Sequence, residues 1–148
     1  MHQLLAGAAA GVVATIPMTA VMELLHVSLP GDPPRPLPPR EVTEGLAVKS
    51  RVSSQLSERD VQNLTLVAHF GYGAACGAML GALVPRHAGA AAATGVAFGL
   101  GVWAGSYLGW LPALGVRQHA RHDPLARSGL MIAAHVVWGA AAGLLARR

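Results

Sequence analysis

Seven ionisable side chains fall near one end of the apolar segments of this chain: Glu23, His26, His69, His119, His122, Asp123 and His135. Imidazole and carboxylate together can hold a divalent metal ion. Imidazole alone can change its protonation near neutral pH. Glu23 and His26 stand in an E-x-x-H spacing, which puts both groups on one helical face, as in carboxylate-bridged di-metal bundles. Those bundles need further Glu ligands, and the other apolar segments supply none. His69 lies four and eight residues before Gly73 and Gly77, and His135 stands in the same relation to Gly139 and Gly143. Both histidines therefore sit on small-residue faces, roughly 7 to 10 Å below the start of their segments at 1.5 Å per residue. His119-x-x-His122 lies in a loop over the same edge, and Asp123 reads as the N-cap of the last segment, with Pro124 following.

These observations predict a metal-binding or proton-responsive site with Glu23, His69 and His135 at its core and His26, His119 and His122 around it. The plainer reading stays open beside it. Each buried histidine then makes one interhelical hydrogen bond, Glu23 and His26 lie at the polar interface, and the loop pair is solvated. Met18, Met22 and His26 form a helical stripe, and Met131 precedes His135 by one turn. Thioether with imidazole suits Cu(I), although Met in apolar helices most often packs. Thr15, Thr19 and Glu23 form a polar stripe toward the edge. Paired histidines on facing helices would also suit a b-type haem. No cofactor follows from the residues alone.

The elements that must position these groups are apolar. The 148 residues are 53% hydrophobic and only 12% charged, about half the charged share of a soluble domain. Four segments of bilayer-crossing length appear, at about 4–27, 64–84, 88–111 and 127–146. The expected fold is an all-α integral membrane bundle of four transmembrane helices in a single domain. Met1-His2-Gln3 gives no positive n-region, so the first segment is expected to be retained as a span. Pro17 is expected to kink it. Residues 28–40 carry six prolines and predict a stiff extended loop. A short mixed helix follows within the loop 28–62, with Val42, Leu46, Val52 and Leu56 on one face. Ser57 with Asp60 predicts a capping box for the second span. The tight turn after it predicts that spans two and three pair. Gly7 and Gly11, Gly73, Gly77 and Gly81, Gly101, Gly105 and Gly109, and Gly139 and Gly143 all read as close-packing faces. Such faces also offer a route to a homo-oligomer or a membrane partner. Trp103, Trp110 and Trp138 fit either interface or core.

Eight of the 11 Lys and Arg lie in the first and third loops. The positive-inside rule then puts both long loops in the cytoplasm and both termini outside. There is no basic stripe with interleaved aromatics, so nucleic acid is not an expected partner. No nucleophile–base pair, phosphate loop or zinc spacing appears, and no enzymatic reaction follows. The single Cys76 reads as a packing residue.

The runs Ala6-Gly7-Ala8-Ala9-Ala10-Gly11, Ala14-Thr15-Ile16-Pro17-Met18-Thr19 with Met22, and Leu37-Pro38-Pro39-Arg40 resemble YagU-like bacterial inner-membrane proteins. So do His69-Phe70-Gly71-Tyr72-Gly73 and Ser106-Tyr107-Leu108-Gly109-Trp110. The resemblance implies a small multi-pass inner-membrane protein associated with acid resistance, and it hands over no catalytic residues. Three readings remain: a His/Glu site for a divalent metal or protons, an accessory membrane subunit without a site, and a haem redox protein.

Overall fold

The computed structural model describes residues 1–29 and 35–147. The extended loop expected over 28–40 thus lies partly outside the described residues, as does Arg148. Five helices dominate: α1 (His2–His26), α2 (Pro38–Lys49), α3 (Glu58–Gly81), α4 (Ala88–Ala113) and α5 (Leu125–Ala146). Among the described residues there is no strand. Helices α1, α3, α4 and α5 are long and apolar enough to cross a membrane, as the segment pattern predicts.

Local chemistry sets most helix starts. Ser57 Oγ accepts from the Asp60 N–H at 3.2 Å and Asp60 Oδ2 accepts from the Ser57 N–H at 2.9 Å, which completes the expected capping box of α3. Pro38 and Pro39 open α2, which corrects the reading of 28–40 as wholly extended. First-turn N–H groups have no intrahelical acceptor, so proline loses nothing there and its fixed φ suits the helix. Helix α1 runs from His2 to His26 with Pro17 inside it.

The third span is less regular than its sequence predicts. A wide π-helical turn occupies Gly105–Trp110, and Gly109 leaves helical geometry at φ −114°, ψ −105°. Pro112 falls just after this break, in a first-turn position, so the chain continues to Ala113 before it stops.

Glycine decides which helices touch. A Cβ on Gly11 would collide with the carbonyl of Gly73 across α3, and one on Gly95 would collide with the carbonyl of Gly139 across α5. Helices α1 and α5 also meet: Trp138 Nε1 donates to the Gly11 carbonyl at 3.2 Å. The helices therefore pack in the order α3, α1, α5, α4. This corrects the expected pairing of spans two and three. Helices α3 and α4 share a tight turn but diverge from it, because their glycine faces are taken by α1 and α5. It also corrects the reading of Gly101 and Gly105, where an added Cβ would meet nothing within 4 Å. Short α2 lies across the open end, against α3.

Candidate functional site

The divergence of α3 from α4 leaves a cavity of about 210 Å³. Thr15 and Met18 of α1 and Met131, His135 and Trp138 of α5 contribute to its wall. Its sides are His69, Tyr72 and Cys76 of α3 and Ser106, Tyr107 and Trp110 of α4. Val42, Thr43 and Leu46 of α2 line it at the loop end. The π-helical turn gives α4 three of its wall residues. Only one direct hydrogen bond ties α3 to α4 among the described residues: the Tyr72 hydroxyl and Ser106 Oγ lie 3.0 Å apart.

Both intramembrane histidines line this one cavity, and hydrogen bonds fix a tautomer for each when neutral. His135 is buried, with Nδ1 2.7 Å from the Met131 carbonyl. A carbonyl only accepts, so Nδ1 carries the proton and Nε2 keeps a lone pair. His69 Nε2 lies 3.2 Å from Thr19 Oγ1. The Thr19 hydroxyl already donates to the Thr15 carbonyl at 2.8 Å, so its oxygen accepts from His69. His69 Nε2 therefore carries the proton and Nδ1 is the free nitrogen. Tyr107 meets His135 edge-on, with ring centroids 6.1 Å apart.

The remaining candidates lie elsewhere. Glu23 is exposed and does not line the cavity. Glu23 lies eight residues from Thr15, and each four-residue step drifts about 40° around the helix, so the stripe has turned by about 80° at Glu23. Thr19, not Glu23, is the polar group that reaches His69. His26 is half-buried, and its Nδ1 has no partner among the described residues. His119 and His122 stack edge-to-face at 6.4 Å in their loop, and His119 Nδ1 accepts from the Arg121 N–H. Among the described residues, no three His, Cys, Asp or Glu side chains are placed to hold a metal ion. The six candidate ligands are thus not brought together; His69 and His135 are.

Over the cavity lies an ion cluster that the sequence pattern did not reveal. Arg117 Nη2 donates to Asp123 at 2.7 Å and its Nε donates to Glu41 at 3.0 Å, with the guanidinium 5.1 Å from the Tyr107 ring centroid. Arg127 pairs with Glu41 at 2.8 Å and donates to the Pro36 carbonyl at 2.7 Å. Both arginine side chains are only 6% exposed. Burial works against the Arg117 charge, but Asp123 and Glu41 outweigh it and hold the guanidinium above its ordinary pKa. Asp123 is therefore the counter-ion of Arg117 and not a helix cap; α5 starts after Pro124 with no side-chain cap. Arginines that read as reporters of orientation are here buried struts holding α2 in place.

Tyr72, Ser106 and Tyr107 entered the sequence reading only within two of the five runs that carry the resemblance. Those runs prove to face each other across the cavity. No curated protein and no solved structure matches the chain. A family model matches residues 7–144, nearly the whole length, and the chain belongs to that family, the proteins of unknown function DUF1440.

Proposed function

We propose that this is a small multi-pass membrane protein whose cavity between α3 and α4 is a proton-sensitive binding site. The observation behind it is the placement of His69 and His135 on one largely apolar cavity, each with one nitrogen committed and one free. A neutral imidazole in this arrangement offers a ligand a lone pair. Once protonated it donates from both nitrogens, so the same site changes from acceptor to cation. The other titratable groups facing the cavity are Tyr72, Cys76 and Tyr107, with Arg117 behind the Tyr107 ring. A YagU-like role in acid resistance, in a bacterial inner membrane with both termini outside, agrees with such a site.

Trp110 and Trp138 both line the cavity and report on it. In a Trp103→Phe background, in lipid nanodiscs, their fluorescence is expected to change as pH falls from about 8 to about 3.5, through and below the ordinary histidine range. A His69→Gln, His135→Gln double variant that still folds should lose that change. Identical curves for the two proteins would overturn the reading. Stoichiometric Zn²⁺ binding that the double variant loses would replace it with a metal site.

A further inference from the structure

The hydrogen-bonding inventory of the cavity specifies a ligand class. This inference rests on reading the cavity as a binding site. No Asp, Glu, Lys or Arg is among its lining residues. The nearby Arg117 is already paired with Glu41 and Asp123. The site therefore favours an uncharged ligand over an ion. Its two neutral imidazoles expose acceptors, His69 Nδ1 and His135 Nε2, so the ligand must bring donors. Tyr72 and Ser106 share one hydrogen bond between two hydroxyls, which leaves one hydroxyl proton to give. Thr15 and Thr43 also line the cavity, but their hydroxyl protons are given to the Gly11 and Pro39 carbonyls. Most of the remaining wall is apolar and rich in flat rings, with Tyr72, Tyr107, Trp110 and Trp138 present. Flat aromatic ligands stack on such rings.

The route in is lateral. Tyr72 is 45% exposed and Trp110 is 39% exposed, although both line the cavity. Tyr72 lies eight residues beyond Leu64, about 12 Å along the apolar part of α3. At that depth in a span, an exposed side chain meets lipid. The gap between α3 and α4 is therefore an opening toward hydrocarbon, wide enough only because these helices do not pack. The π-helical turn sits at this opening, and such turns recur at functional sites.

We propose that the cavity takes the hydroxylated aromatic head of a bilayer-dissolved amphiphile of the hydroquinone class. Its hydroxyls donate to His69 and His135, and its apolar tail leaves between α3 and α4. The step is binding alone.

The test uses the full chain in nanodiscs, in the Trp103→Phe background, kept anaerobic. The probes are a decyl-substituted hydroquinone and its dimethyl ether, which has the same tail but no hydroxyl donors. The hydroquinone should quench Trp fluorescence saturably, and the ether should bind at least about tenfold more weakly, the worth of roughly one hydrogen bond. His135→Leu should weaken hydroquinone binding by a similar factor, and His69→Leu serves if that variant fails to fold. Equal binding of the two probes would overturn the proposal, because the tail alone would then explain occupancy. Absence of saturable quenching would also overturn it. If the pH-driven fluorescence change survives in that case, the proton-sensitive cavity stands without this ligand class; if both are absent, both readings fall.

Discussion

The two faces of α4 are used in opposite ways. At Gly95 the helix comes so close to α5 that a single added carbon would strike the Gly139 carbonyl. At Gly101 and Gly105, farther along the same helix, an added carbon would meet nothing within 4 Å. The α1–α3 seam repeats the close pattern, and the α3–α4 gap repeats the open one. Lipid provides no hydrophobic drive between helices, so association rests on close contact and on hydrogen bonds. Where contact is closest the molecule has its rigid seams. Where two neighbouring spans were left apart it has a cavity, and there its polar side chains gather. Small residues alone do not say which of the two a face will become.

The sharpest way to test that contrast is to place the same bulky side chain on both faces. Gly95→Leu must drive backbones apart along the seam, and loss of folded protein is expected, seen as aggregation on size exclusion in mild detergent. Gly101→Leu on the same helix should change thermal stability by no more than about 0.5 kcal/mol, as for an ordinary surface change. Comparable losses at the two positions would mean that the open face is covered too, and the contrast would collapse.

What the sequence made legible follows the same division. Helix spans, the Ser57 capping box and the Gly73, Gly77 and Gly81 face are local features, so periodicity and spacing reached them. The helix faces of His69 and His135 were also legible, since each stood at a fixed offset from glycines that do pack. Helix order was not, because a tight turn between α3 and α4 says nothing about which neighbours their glycine faces will choose. Glu23 was misplaced for a geometric reason, the drift of a four-residue stripe around the helix. The Arg117–Asp123 and Arg127–Glu41 pairs join residues far apart in the chain or hidden by a simpler cap reading, and spacing carries no signal for them.

A second, smaller effect separates the buried struts from exposed charges at the same end of the molecule. Glu41 is the partner shared by Arg117 and Arg127. Glu41→Gln leaves Arg127 buried with the Pro36 carbonyl and no carboxylate, and breaking a buried pair in this way costs about 3–5 kcal/mol. Thermal unfolding followed by circular dichroism should show that loss, with α2 protected less well in hydrogen exchange. Arg40, which bridges Glu44 and Glu58 at the surface, is the control. Its pKa is raised by those two carboxylates, but water screens exposed pairs and their net worth is small. Arg40→Ala should leave the melting curve nearly unchanged. Equal losses would place the strut at the surface and not under α2.

The smallest expected effect lies at the gap itself. Tyr72→Phe removes the hydroxyl that meets Ser106 and leaves the ring in place. A single hydrogen bond contributes about 1 kcal/mol, and less where, as here, one partner is partly exposed. Stability should therefore barely move. The distance between α3 and α4 should move more, because neither helix has a glycine seam holding it to the other. Spin labels on the outer faces of the two helices, read by pulsed electron resonance in nanodiscs, should show a broader distance distribution in Tyr72→Phe than in the unaltered chain. Labels across the α1–α3 seam of the same variant should keep their width. A gap distribution that stays narrow would mean that packing, not this hydroxyl pair, sets the opening, and the cavity would then be as rigid as the seams beside it.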